Sequence, residues 1–432
     1  MRDTRTRTVL LALVLFFASA CDTKVTNPGR FEDQALHDRN AAGAMVAGAG
    51  RALSSAINWI GYTGAAVTRE IHPAGSTGSF GITPLWQNGT LSESDADLDT
   101  HWEQAQRARW LAEETIRRLE ASTAQPGDVL TPARFADTLR LAYIYAGFAN
   151  RLLGENMCDA VIDGSAKLAA NTYFTRAESL FTKALAVSGG AAAVVTAQNQ
   201  AAYAGRAAVR VALGKWTEAV TDAGQVPIDF VLNIPYFDIG DDAQRNRIAW
   251  AIGGLPYKAH TEWNTWYYDY SQATPPDPRV KVTITTGTGD AAIECCGKVP
   301  FYPEAKHSTS TSPIRLASGR EMRLIEAEAA LRANNLTGAM TSIAAVRTNA
   351  KAPAISPDPT TVEEGWRLLK RERGIELWLE ARRLGDFRRW KADNTPGALD
   401  PLELPGALSH LARQDLCFPI SVSERQTNPN FR

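Results

Sequence analysis

An excess of charge of one sign, abundant cysteine and histidine, and catalytic motifs are what this sequence lacks. Its 46 Lys and Arg stand against 47 Asp and Glu, a formal net charge of −1, which leaves no basic footprint for nucleic acid. No G-x-S-x-G, H-E-x-x-H, G-x-x-x-x-G-K-[ST] or G-x-G-x-x-G occurs, and the six His stand beside no evident nucleophile, so catalysis is not expected. Only five Cys are present, none in a C-x-x-C, which argues against zinc. Asp95, Asp97 and Asp99 alternate as in the start of a calcium loop, but Thr100 stands where that loop needs Gly and Gln106 where it needs Glu. These acids are expected to cap the helix that follows. No metal and no cofactor are assigned.

What is present is ordinary globular composition over 432 residues, 44% hydrophobic and 22% charged, with an unusual eleven Trp. Residues 1–20 read as a targeting segment. Arg2, Arg5 and Arg7 precede the apolar run Val9–Phe17, and Ala18-Ser19-Ala20 then leads into Cys21, as in a lipobox. Loss of that segment removes three Arg and one Asp and moves the net charge from −1 to −3. Ordinary cleavage after Ala20 is the competing reading. Residues 21–30 form a polar, turn-prone tether. An exported protein tolerates disulfides among Cys158, Cys295, Cys296 and Cys417. The adjacent Cys295 and Cys296 are expected to pair outward, with Cys158 and Cys417 as the available partners.

Residues 31–227 read as helical. An Ala-rich helix is expected over Phe31–Trp59, with Gly43, Gly48 and Gly50 used for close packing, then helices at His101–Glu120 and from Thr131 to a Gly154 cap. Ala204–Val220 has the layout helix, Gly turn, aromatic, Ala, helix, and Glu326–Met340 repeats it, with Leu336 for Trp216 and Ala339 for Ala219. Phe174 and Ala177 suggest a third copy. This is the pattern of tetratricopeptide-like helix pairs. Residues 228–315 break it with Gly and Pro, include a strand-like Val280–Thr285, and hold the densest aromatic cluster.

Aromatic rings stack on the apolar faces of sugars while amides and carboxylates bond the hydroxyls. Trp263, Trp266, Tyr267, Tyr268 and Tyr270 are the candidate platform, with Asn264 and Asp269 as polar partners. Packing the irregular region onto the helices is the bland alternative for the same rings. Trp59, Tyr62, Phe80 and Trp86 form a second, sparser set.

Residues 316–390 carry the last helix pair and the most informative stretch, Leu368–Trp390. Read as a helix, it sets Glu372, Glu376 and Glu380 on one face, a row that needs cations. Arg373, Arg382, Arg383, Arg388 and Arg389 are near enough in sequence to supply them. The stretch resembles the C-terminal signature of the SusD/RagB family of outer-membrane nutrient-binding lipoproteins, approximately E-R-x-x-E-L-x-x-E-x-x-R-x-x-D-x-R-R. Glu372, Arg373, Glu376, Leu377, Glu380, Arg383, Asp386, Arg388 and Arg389 fall on it in register, with Ala381 where the family often has Gly. Asp277-Pro278-Arg279 and the ending Phe418-Pro419-Ile420 through Asn428-Pro429-Asn430, in the docking tail 391–432, also resemble family features.

The resemblance implies a mostly α fold, a tetratricopeptide-like superhelix with an irregular, loop-rich insertion, in which Glu372, Arg373, Glu376, Glu380, Arg383, Asp386 and Arg389 form a structural charge network. It implies lipidation at Cys21, an outer-membrane location facing the cell exterior, a TonB-dependent SusC-like barrel as partner, and an oligomeric nutrient, an oligosaccharide above all, as ligand. The other class kept open is a surface tetratricopeptide scaffold binding peptides or proteins.

Overall fold

Small residues set the helix packing from the first element onward. The computed structural model describes residues 36, 38–75, 82–253, 258–290, 296–408 and 410–431. The expected signal segment with Cys21, as well as Phe80 and Cys295, falls outside them. Helix α1 (Ala42–Val67) starts later and runs further than expected, and it is buried along most of its length. Gly50 lies so close to Tyr145 that a Cβ there would come 2.8 Å from its ring, whereas Gly43 and Gly48 face open space. Only one of the three glycines therefore serves close packing.

Helices α2 (Asp99–Ala121), α3 (Pro132–Asn156), α4 (Asn171–Ala186), α5 (Ala192–Ala212) and α6 (Trp216–Ala223) follow. Thr131 caps α3 by accepting from the Arg134 amide, and Pro132 fills its first turn. Gly154 is not the cap of α3: it is buried under the Phe174 ring, which a Cβ would meet at 2.7 Å. The Phe181 ring of α4 sits likewise against Gly147 and Gly205, so α3, α4 and α5 interlock through one aromatic and two glycines. The α5–α6 pair turns at Gly214 (φ 72°). Helices α9 (Gly319–Arg332) and α10 (Leu336–Ala350), beyond the short α7 (Arg247–Gly253) and α8 (Trp266–Gln272), turn at Asn334 (φ 56°). Ala219 and Ala339 are both fully buried at the equivalent places, and the expected helix pairs are present. Helix α9 also packs on α6 and α5, which continues the stack.

The insertion leaves and rejoins this stack through one two-stranded antiparallel sheet. Strand β4 (Val231–Ile234) pairs with β6 (Ile314–Ser318), Val231 opposite Ser318 and Ile234 opposite Ile314. Earlier two-residue strands are β1 (His72–Pro73), β2 (Asp159–Ala160), β3 (Leu168–Ala169) and β5 (His260–Thr261). The β1–β5 pair ties the insertion to the end of α1. Val280–Thr285 is not a strand; it contributes a single bridge, Val282 to Glu304.

The signature stretch is two helices rather than one. Helix α11 (Val362–Glu376) opens on a Thr361–Glu364 capping box, and α12 (Arg383–Ala392) begins after a break. In that break Leu379 and Ala381 take φ of 58° and 59°. Glu380 therefore leaves the helical row and turns toward the insertion. The left-handed backbone costs a non-glycine residue about 1–2 kcal/mol, against about 0.4–1 kcal/mol for the extra unfolded-state freedom of Gly. Ala381→Gly is expected to raise the melting temperature slightly, a net gain of about 1 kcal/mol or less. A lower melting temperature would mean that the Ala381 methyl, which lies 3.5 Å from a Cβ built on Gly61, matters more than the strain.

The tail docks back across the molecule. Cys158 and Cys417 are joined in a disulfide that links residues 259 apart, and the Phe418 amide donates to the Asn156 carbonyl at 2.8 Å. Outward pairing of Cys295 and Cys296 to these two cysteines is thereby overturned, since each already holds the other. Cys296 is also disulfide-bonded. A last helix, α13 (Val422–Thr427), receives the Asp99 carboxylate on the amides of Val422 and Ser423.

Candidate functional site: an aromatic face on the insertion

Helix α8 decides which rings of the aromatic cluster meet solvent. Thr265 caps it by accepting from the Tyr268 amide, and its seven residues then divide by side. Trp266 and Tyr267 are buried, at 2% and 0% exposure. Tyr267 stacks on Trp378 with ring centres 5.4 Å apart, and the Trp266 ring occupies the space a Cβ on Gly374 would need. These two rings fasten the insertion to the signature segment and are unavailable to a ligand. Tyr270 is partly buried, edge-on to Trp266, with the Arg371 guanidinium 5.5 Å above it.

Trp263, Asn264 and Tyr268 are half-buried, and Asp269 is exposed. Trp263 stands edge-on to His72 at 5.2 Å and rests on Ala74, Val299 and Phe301. Asn264 adopts φ 58°, a conformation Asn tolerates. Tyr268 stacks nearly parallel on Tyr302, with centres 5.2 Å apart and planes 15° apart. Tyr302 was not anticipated from sequence. Burial, and then Asp400, raise the Asp269 carboxyl above its ordinary value. Residues 263–269 thus carry half-buried rings, an amide and an exposed carboxylate, a combination suited to a neutral polyhydroxylated ligand.

The described members of the second aromatic set, Trp59, Tyr62 and Trp86, are structural. Trp86 is buried and donates its indole N–H to Asp95 at 2.8 Å; Tyr62 is buried against His260 at 2.7 Å. Trp59 lies beneath the Arg247 guanidinium, 4.0 Å from its ring centre. Asp95 caps a 3-10 turn at Ala96–Leu98 rather than α2 itself.

The described residues bring His72, Cys296 and His410 together, with one ligand atom of each within 4.8 Å of the others. This donor set does not suit a metal. Arg69 Nη1 donates to His410 Nε2 at 2.8 Å, which leaves the Nδ1 proton toward Cys296 Sγ at 3.4 Å. A cation, a protonated nitrogen and a disulfide sulfur occupy the positions that lone pairs would need.

The charge network joins the insertion to the signature segment. Glu372 accepts from Arg279 at 2.8 Å and from Arg347. Glu376 accepts from Arg315 at 2.7 Å and Arg320 at 2.8 Å, and Glu380 from Lys306 at 2.6 Å and Arg315 at 2.8 Å. None of these cations lies in the signature stretch, contrary to the sequence expectation. The stretch's own arginines serve other acids: Arg373 holds Asp386 at 2.8 Å, Arg383 holds Glu403 at 2.7 Å, Arg389 reaches Asp386 and Glu328, and Arg382 reaches Glu155. Burial raises the Asp386 carboxyl, but Arg373 and Arg389 outweigh it and hold the group below its ordinary value. The Asp277 carboxylate accepts two bonds from the Arg279 guanidinium, which also reaches Glu372, so that tripeptide pins the insertion to α11.

Residues 302–430 match the sequence model of the SusD family. A SusD/RagB family protein from Bacteroides thetaiotaomicron superposes with a TM-score of 0.65 at 13% identity, over 91% of this chain and 95% of that one. A SusD superfamily protein from Bacteroides vulgatus gives 0.62 at 16% identity, over 91% and 98%. A further structure, solved with a xylogluco-oligosaccharide, gives 0.58 at 15% identity, over 82% and 84%. No curated protein matches the chain. The resemblance read from the signature stretch and the mostly helical, SusD-like fold are both borne out.

Proposed function

We propose that this chain, which carries the SusD family region at 302–430 on the SusD-like fold, is a cell-surface lipoprotein that captures oligosaccharides. It would deliver them to a TonB-dependent SusC-like barrel on which it sits as a lid, anchored to the outer membrane through Cys21. The observation that carries the ligand class is the presence of half-buried Trp263, Asn264 and Tyr268 with exposed Asp269 on an irregular insertion. Loops held by a rigid scaffold are where binding residues concentrate. The relative solved with a xylogluco-oligosaccharide supports a glycan over a peptide. Binding is the whole chemistry of this reading.

Calorimetric titration with xylogluco-oligosaccharides and other plant and host oligosaccharides tests it. Trp263→Ala is expected to weaken binding of the recognised glycan by about 2 kcal/mol, roughly thirtyfold in Kd, with unchanged helical circular dichroism. Unchanged affinity for every glycan would remove Trp263 from the site.

A further inference from the structure

Of the eleven Trp, ten are buried or half-buried, and Trp110 of α2 alone is exposed, at 50%. Its ring has no aromatic or cationic partner, and its indole N–H no acceptor, among the described residues. A single exposed apolar side chain is unremarkable in itself. Trp110, however, lines a cleft of about 340 Å³ where α2 meets the segment 161–164 that follows β2 and the tail helix α13. No lining residue comes from the insertion. The volume exceeds the roughly 300 Å³ at which small-molecule sites begin.

The walls of the cleft are tied together within the fold. Gln106 donates to the Val161 carbonyl at 3.0 Å and to the Tyr173 hydroxyl at 2.7 Å, while Arg109 bonds Gln106, Glu113 and Asp163. Asn428 and Asn430 donate to the Ser165 and Gly164 carbonyls at 2.8 Å and 2.9 Å, which holds the tail with Glu424 against the same segment. Other polar groups of the lining are less occupied. Arg107 is exposed and makes no hydrogen bond or ion pair with a described residue. The Asp163 carboxylate accepts only at Oδ1, from Arg109, and that of Glu424 only at Oε1, from Asn428, so each keeps one oxygen free. Arg107 and Arg109 balance Asp163 and Glu424, so the lining carries no net charge. Apart from Trp110, Val161 and Gly164 every lining residue is polar, unlike the apolar centre of a protein interface.

We infer that this cleft between α2 and the tail is a second carbohydrate site, taking part of a neutral oligosaccharide. Trp110 supplies a flat ring for the apolar face of a sugar, Arg107 donates to its oxygens, and Asp163 and Glu424 accept from its hydroxyls. The balance of charge favours a neutral sugar over an acidic one. This second site shares its ligand class with the proposed glycan face at Trp263, and the two can fail separately.

Calorimetric titration of full-length Trp263→Ala with cellohexaose, maltoheptaose and xyloglucan heptasaccharide tests this, with trigalacturonate as the charged control. Saturable binding of at least one neutral probe is expected, tighter than that of trigalacturonate. Adding Trp110→Ala is expected to weaken it at least about tenfold, and adding Arg107→Ala about threefold. Acrylamide quenching of tryptophan fluorescence is expected to fall when the saccharide binds Trp263→Ala, because Trp110 becomes covered. A circular-dichroism melt identifies a variant that fails to fold, and the quenching decides if Trp110→Ala does. Absence of neutral-probe binding to Trp263→Ala, tighter binding of trigalacturonate, unchanged quenching, or affinity untouched in folded Trp110→Ala overturns the inference. Affinity unchanged by Trp263→Ala but lost with Trp110→Ala supports this site and overturns only the face on the insertion.

Discussion

Gly319→Ala is expected to destroy the junction at which the insertion rejoins the helical stack. Gly319 follows β6 and opens α9, and its amide donates to the Phe230 carbonyl at 2.9 Å. A Cβ there would lie 1.8 Å from the Pro227 carbonyl oxygen and 2.6 Å from the Ile228 Cα. Both contacts are with backbone, so no side chain can turn aside. The segment 227–230 would have to move, and with it the β4–β6 pairing that closes the insertion. The expected loss is about 4 kcal/mol or more, the range reserved for strain that packing cannot absorb. Chemical denaturation followed by circular dichroism measures it. A near-wild-type midpoint would show the close approach to be dispensable.

Glu376→Ala is expected to follow closely in magnitude. Glu376 is 1% exposed and accepts from Arg315 and Arg320, with Arg279 at 3.7 Å. Arg279 is itself 5% exposed, so loss of the carboxylate leaves buried positive charge with fewer partners. Removing one member of a buried pair costs about 3–5 kcal/mol, chiefly through the charge left behind. Glu376→Gln separates charge from shape, because it keeps the volume and one acceptor. A lowered melting temperature in both variants, larger for Ala, is the expected result. An unchanged melt in Glu376→Ala would mean that the network is solvated rather than structural.

The helical repeats were legible because their turns carry their own chemistry. Gly214 and Asn334 take the left-handed backbone that those residues tolerate, and Ala219 and Ala339 let the second helix approach. The need for cations around Glu372, Glu376 and Glu380 was legible too. Their identity was not, because Arg279, Lys306, Arg315, Arg320 and Arg347 arrive from other elements through tertiary packing. The break between α11 and α12 was hidden for a local reason. Leu379 and Ala381 hold positive φ without the Gly that would have announced it.

The aromatic cluster was legible in the sequence, but its sorting into buried and half-buried rings was not. The sequence located the aromatic cluster on the insertion, and the described residues put half-exposed rings there. It could not sort them, because seven residues of α8 are too few to display a helical period, so the buried Trp266 and Tyr267 read the same as the half-buried Tyr268. Tyr302 stacks on Tyr268 from 34 positions further along, and no local pattern marks such a pairing. The His72, Cys296 and His410 group was equally invisible, its members being spread over the whole chain.

The proposed role of this chain is as the lid of an outer-membrane transporter. Its most direct test is a pull-down of the tagged, lipidated protein from detergent-solubilised outer membranes of its native host, with the co-purifying proteins identified. Recovery of a large TonB-dependent barrel in near-equal amount is the predicted result. Recovery of the protein alone, from intact lipidated material, would contradict the account and leave a free-standing binder that shares only the fold.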